Sequence, residues 1–78
     1  MKEPPSSRDA GQILFIGLKV QSETLLALLK AGAVPPEALR EIVFSISMVS
    51  DSWREYFPEG PGMFEATLAE LRLRVGLS

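Results

Sequence analysis

Residues 9–30 read DAGQILFIGLKVQSETLLALLK, and this segment decides the fold. Its apolar residues recur at helical spacing over about six turns, which predicts one long α-helix. Asp9 and Gln12 have the spacing of a capping box at the start, and Ala31-Gly32 follows Lys30 as a glycine C-cap. The segment therefore predicts a first helix over residues 9–31.

The remaining chain predicts two more helices. Pro36 suits the first turn of a second helix over 36–57, which Pro58 ends. The turn residues at 58–62 lead to a third, shorter helix over 63–75, before Gly76. The first two helices are of similar length and are joined by a short loop, so we expect a long antiparallel hairpin with the third helix folded across it. Residues 1–8 are expected to form a disordered tail, and residues 9–78 a single all-α domain.

The first helix is apolar on almost every side. On a helical projection, Lys19, Glu23 and Lys30 fall in one wedge about 40° wide, and apolar residues occupy most of the rest. Two partner helices, one of them short, cannot cover such a surface. We therefore expect a six-helix homodimer with the first helix at its centre; a monomer with a tolerated apolar surface is the alternative. The self-association candidates are Phe15, Ile16, Gly17, Val20 and Leu26.

Gly17 is the unusual member of this set. A glycine inside a helix costs about 1 kcal/mol relative to alanine. A close helix crossing would explain it, and so would a tolerated irregularity.

The second helix carries an apolar pair on its otherwise polar side. Phe44 and Met48 are one turn apart, flanked by Arg40 and Asp51 among other polar residues. An aromatic ring beside a flexible thioether suits an adaptable docking surface, so these four residues are candidates for binding a partner protein. The alternative is that the third helix, or the mate in a dimer, covers the pair.

The composition of the chain argues against catalysis and metal binding. Its 78 residues contain neither histidine nor cysteine, and the net charge is −2. Disulfides, thiolate metal sites and histidine-based catalysis are thereby excluded. The carboxylate pairs Glu37/Glu41 and Asp51/Glu55 are read as a solvated helix face. We expect no enzyme activity, no cofactor and no metal.

The functional prediction is a non-enzymatic helical module that associates with itself through the first helix and presents the second to another protein. One alternative is a helix-turn-helix-like regulator, although an acidic second helix would be repelled by DNA phosphates, so no nucleic-acid partner is expected. Another is an accessory subunit or carrier that holds an apolar ligand between its helices. The apolar run 13–20 is interrupted by Lys19 and is too short for a membrane span, which predicts a cytoplasmic protein with no membrane partner.

Overall fold

The computed structural model describes residues 7–77 and confirms the all-α class for them. The helices are α1 (Ser7–Lys30), α2 (Arg40–Trp53) and α3 (Glu65–Val75). Two 3₁₀ turns, Pro36–Leu39 and Pro61–Met63, precede α2 and α3. α1 begins two residues before the expected start, and the rest of the tail expected over residues 1–8 lies outside the described residues.

Helices α1 and α3 end as the glycine pattern predicts. Gly32 and Gly76 both have positive φ angles, of 69° and 82°. At the end of α1 the Gly32 N–H donates to the Leu29 carbonyl at 3.1 Å, and the Ala33 N–H donates to the Leu28 carbonyl at 3.0 Å. These two bonds form a Schellman motif, in which a residue with positive φ satisfies the last helical carbonyls.

The second helix differs from the prediction at both ends. Residues 36–39 form a 3₁₀ turn, and α2 ends at Trp53 rather than at residue 57. After Trp53 the chain turns tightly, with the N–H groups of Tyr56 and Phe57 both donating to the Trp53 carbonyl. This turn carries Phe57 into the core, where it is only 6% exposed. The helices of the expected hairpin are therefore unequal, with 24 residues in α1 and 14 in α2.

The three helices run up, down and up. Gly11, near the start of α1, lies against Phe57, which follows α2, so these two helices are antiparallel. Arg40, the first residue of α2, donates from Nε to the Val75 carbonyl at the end of α3 at 3.0 Å. Helices α2 and α3 are therefore antiparallel as well, and α3 lies beside both of the others.

An aromatic cluster fills one end of the core. The ring of Phe15 is fully buried, and its centroid lies 5.8 Å from that of Phe57 and 6.0 Å from that of Phe64. The backbone of Gly60 presses on the Phe15 ring, so closely that a Cβ atom at position 60 would lie 2.5 Å from two ring carbons. The other buried apolar residues of the core are aliphatic: Leu18, Leu25, Leu39, Val43, Ile46, Leu71 and Val75.

An ion pair outside the core ties α1 to the turn before α3. The Arg8 guanidinium pairs with Glu59 and lies 5.4 Å from the centroid of the Phe57 ring. The pKa of Glu59 is below its ordinary value, first because its own backbone N–H donates to the carboxylate and then because Arg8 is close. A lowered carboxyl pKa stabilises the folded chain at neutral pH, and this contribution is lost as the pH falls through the folded-state pKa.

Candidate functional site

The outer side of α1 carries an uncharged stripe, which we call the α1 stripe. It consists of exposed residues at spacings of three and four: Ile13, Ile16, Gly17, Val20, Thr24, Ala27 and Leu28. The stripe covers the 16 residues from Ile13 to Leu28, which is about 22 Å of helix from the first to the last. The exposed fraction is 68% for Ile13 and 57% for Val20, and 45% for Ile16 and 37% for Leu28, so each large side chain is at least one-third open to solvent.

Charged groups border the α1 stripe without entering it. Lys19 and Glu23 lie along one edge and pair with each other at 2.7 Å. At the end of the helix, Lys30 pairs with Glu70 of α3 at 3.8 Å. The stripe is thus a continuous apolar surface whose neighbouring cations are already matched by carboxylates.

Gly17 lies within the α1 stripe and has open space above it. A Cβ atom built there would have nothing within 4 Å, so packing inside the chain does not call for a glycine. Gly60, whose Cβ position is occupied by the Phe15 ring, is the opposite case. An exposed glycine in mid-helix weakens the helix by about 1 kcal/mol relative to alanine.

The structure divides the predicted self-association residues between two places. Ile16, Gly17 and Val20 lie together on the α1 stripe. Phe15 instead belongs to the core, because its ring packs between Phe57 and Phe64. Leu26 is partly buried against the same core. Phe15 and Leu26 therefore do not belong to the candidate interface.

Four stripe residues had not been singled out from the sequence for self-association: Ile13, Thr24, Ala27 and Leu28. Ile13 and Leu28 extend the stripe towards both ends of α1, and both are exposed. The signal that would have found them is their three- or four-residue spacing from Ile16 and Thr24.

The apolar pair on α2 also faces outward. Phe44 is 54% and Met48 55% exposed, so α3 does not cover them. Phe44 borders a shallow depression of about 410 Å³ whose wall includes Leu77 beyond the end of α3. The flanking charges are engaged elsewhere, since Arg40 binds the Val75 carbonyl and Asp51 pairs with Arg54 at 3.1 Å.

A second apolar feature lies between α1 and α2, and we call it the α1–α2 groove. Its volume is about 350 Å³, and it is open to solvent along one side. Its apolar wall is formed by Leu18, Ile42, Ile46 and Val49, and its polar edge by Gln21, Glu41 and Ser45. Ile42 and Val49 remain 39% and 36% exposed, so the groove is only partly filled by the chain itself.

The groove between α2 and α3 is smaller and more polar. It has a volume of about 200 Å³ and is lined in part by Asp51, Arg54, Glu65 and Arg72. Within residues 7–77, no three acidic, histidine or cysteine side chains come together in a way that could hold a metal ion. The Ser47 hydroxyl donates a hydrogen bond to the Val43 carbonyl at 3.1 Å. Ser22 is fully buried in the core, and its hydroxyl has no hydrogen-bond partner among residues 7–77.

Comparisons with protein-family models, with curated proteins and with solved structures find no match. In the part of the chain that the structure describes, one helix, Arg8–Lys30, is long and apolar enough to cross a membrane by length and composition. Its most apolar window has a mean hydropathy of 1.4, and 28% of that window is buried inside the protein. The core helix of a soluble protein passes the same test, so this property alone assigns no location.

Proposed function

We propose that this chain is a non-enzymatic helical interaction module that associates with itself through the α1 stripe and presents α2 to a partner protein. The observation that carries the proposal is the stripe itself: a row of exposed aliphatic side chains along about 22 Å of helix. Contiguous apolar surface on a small domain marks a contact site, whereas single exposed apolar residues do not.

The free energy of burying the α1 stripe sets the expected strength of self-association. Ile13, Ile16, Val20 and Leu28 together expose the equivalent of about two whole side chains. Burying that surface contributes about 3–6 kcal/mol for each protomer, and twice as much in a symmetric dimer. Association costs about 4–15 kcal/mol, which is of the same size. We therefore expect a reversible homodimer rather than an obligate one.

Gly17 supports a close helix contact on this surface. Its lack of a side chain weakens α1 and serves no packing purpose within the chain. A neighbouring helix that crosses at Gly17 would gain direct access to the α1 backbone.

The α2 surface supports a second, heterologous contact. Phe44 and Met48 are more than half exposed and lie on a different side of α2 from Ile42 and Val49, which line the α1–α2 groove. A protein partner fits this surface better than DNA. Arg40 is held against the Val75 carbonyl, and Arg54, which follows α2, is already paired with Asp51, so neither cation is well placed to neutralise phosphates.

An apolar carrier is the weaker alternative. The α1–α2 groove, at about 350 Å³, is at the lower end of the roughly 300–1,000 Å³ typical of ligand pockets. It is also open along one side, whereas ligand pockets bury most of the ligand surface. Catalysis has little support because the chain holds neither histidine nor cysteine. A cytoplasmic location is part of the same proposal.

The test of self-association compares three proteins by sedimentation equilibrium over a wide concentration range. The wild type should move from monomer to dimer. Val20→Glu removes a side chain that is 57% exposed, and burying it in both copies contributes about 2–3 kcal/mol. This variant should weaken the dimer at least about tenfold, given 1.4 kcal/mol per tenfold change.

Leu73→Glu is the matched control for that experiment. Leu73 is 66% exposed but lies on α3, outside the α1 stripe, so its replacement should leave the dimer unchanged. A wild type that stays monomeric throughout, or a Val20→Glu dimer as tight as the wild type, contradicts the proposal. Phe44→Ser should leave both folding and dimer strength unchanged, because the α2 pair is assigned to a different partner.

A further inference from the structure

We infer that the dimer is a four-helix bundle in which the α1–α2 groove of each copy receives α1 of the other copy. This arrangement assumes the self-association proposed above. It adds the surface that the α1 stripe contacts on the other copy, namely the α1–α2 groove. Under this arrangement α2 contributes Ile42 and Val49 to the interface. In a face-to-face pairing of α1 alone, these two residues would stay in solvent.

The first support is that stripe and groove are continuous. Gln21 lines the groove and lies one helical turn beyond Gly17 of the stripe. Leu18 lines the same groove and follows Gly17 directly in the chain. A helix that crosses α1 at Gly17 therefore meets the open side of the groove across one uncharged side chain, that of Gln21.

The second support is the area that a stable interface requires. A fully exposed aliphatic side chain corresponds to about 60–120 Å² of apolar surface on the transfer scale. The α1 stripe exposes the equivalent of about two such side chains, which is less than half of the roughly 500 Å² of apolar area in a standard half-interface. The apolar surface that adjoins the stripe is the groove, where Ile42 and Val49 add most of another side chain. Stripe and groove together reach about 170–340 Å², an area that suits the reversible dimer proposed above.

The third support concerns what binds the α1 stripe, a second copy of the chain or a membrane. A helix that lies in a lipid surface carries unpaired Lys and Arg residues on its polar face, for contact with anionic headgroups. In α1, Arg8 pairs with Glu59, Lys19 with Glu23 and Lys30 with Glu70. The stripe itself has no charge that would repel an identical stripe across a two-fold axis. A second copy of this chain therefore fits the surface better than a membrane does.

The four-helix arrangement is tested by measuring the dissociation constant of the dimer for two double variants of α2. Ile42→Gln/Val49→Gln should raise the dissociation constant of the dimer at least about tenfold, from the apolar area it removes on both copies. Phe44→Gln/Met48→Gln changes two more exposed residues of the same helix and should leave the constant unchanged. Circular dichroism and a melting curve for each variant show that the protomer still folds.

Cross-linking supplies a second measurement that does not depend on weakening the dimer. The chain has no cysteine, so each introduced thiol is unique. Val20→Cys protein mixed with Val49→Cys protein should be joined by a short bis-maleimide reagent, and Val20→Cys mixed with Phe44→Cys should not. Equal yields from the two mixtures would overturn the four-helix arrangement.

The outcomes separate the two proposals. If Val20→Glu weakens the dimer and Ile42→Gln/Val49→Gln does not, self-association stands and the groove assignment is wrong. If the wild type is monomeric at all concentrations, both are wrong. If the protein stays monomeric and also co-sediments with vesicles of anionic phospholipid, the α1 stripe binds a membrane surface rather than a second copy of the chain.

Discussion

Gly60→Ala is the substitution for which the structure makes the sharpest prediction. The backbone of Gly60 has φ −58° and ψ −49°, a conformation that alanine adopts without strain. The added methyl group, however, would lie 2.5 Å from Cγ and Cδ2 of Phe15 and 2.7 Å from Cε2. Such distances are far inside the 3.5–4.0 Å of a normal contact between carbon atoms.

The expected cost follows from how little the Phe15 ring can move. It is fully buried between Phe57 and Phe64, so relief of the overlap must displace other core groups or the loop backbone. Overpacking of this kind destabilises by about 1–3 kcal/mol. The gain from restricting the unfolded chain, about 0.4–1 kcal/mol, offsets only part of that. A net loss of about 1–2 kcal/mol is large beside a total of ~5 kcal/mol for a small domain.

Urea unfolding monitored by circular dichroism and by Trp53 fluorescence measures this loss directly. Gly62→Ala is the matched control, because Gly62 lies two residues further on, in the 3₁₀ turn that Gly60 precedes, and has nothing within 4 Å of its Cβ position among the described residues. We expect Gly60→Ala to be less stable than Gly62→Ala by at least about 1 kcal/mol. Equal stability of the two variants would refute the close contact between Gly60 and Phe15.

Two further substitutions probe the core and the end of α3. Ser22→Ala should raise the free energy of unfolding by about 1 kcal/mol, because it removes a buried hydroxyl without a partner and introduces a better helix former; a loss of stability by urea unfolding would contradict this. Arg40→Met keeps the aliphatic stem but removes the bond to the Val75 carbonyl, and should cost about 1 kcal/mol. Hydrogen exchange should then speed up at the end of α3, and unchanged exchange there would show that this bond contributes little.

The three helices and two of their ends were predictable from local chemistry. Gly32 and Gly76 stop α1 and α3 because a residue with positive φ closes the last turn, and this preference is visible in sequence. The end of α2 was not visible, since Pro58 allows a helix as far as residue 57. The chain leaves the helix at Trp53 because Phe57 has to turn inward towards Phe15, a contact between residues far apart in sequence.

The candidate site was predictable only in part, for a related reason. The sequence shows that α1 is apolar nearly all round, but which sector faces solvent depends on where α2 and α3 pack. Phe15 and Ile16 are neighbours and equally apolar, yet one is fully buried and the other is 45% exposed. Ser22 adds to the ambiguity, because this polar residue lies in the core while Val20 faces outward.

The contact between Phe15 and Gly60 joins two positions that are 45 residues apart into one shared volume. During evolution a side chain at position 60 avoids this overpacking cost only if atoms are lost at position 15, for example by a change from an aromatic ring to a smaller aliphatic group. Gly11 differs, because a Cβ atom at position 11 would fall 2.8 Å from the Cβ of Phe57, an atom that a smaller side chain at position 57 would keep. Reciprocal size at positions 15 and 60 is therefore expected among homologues of this fold, whereas position 11 is expected to stay glycine.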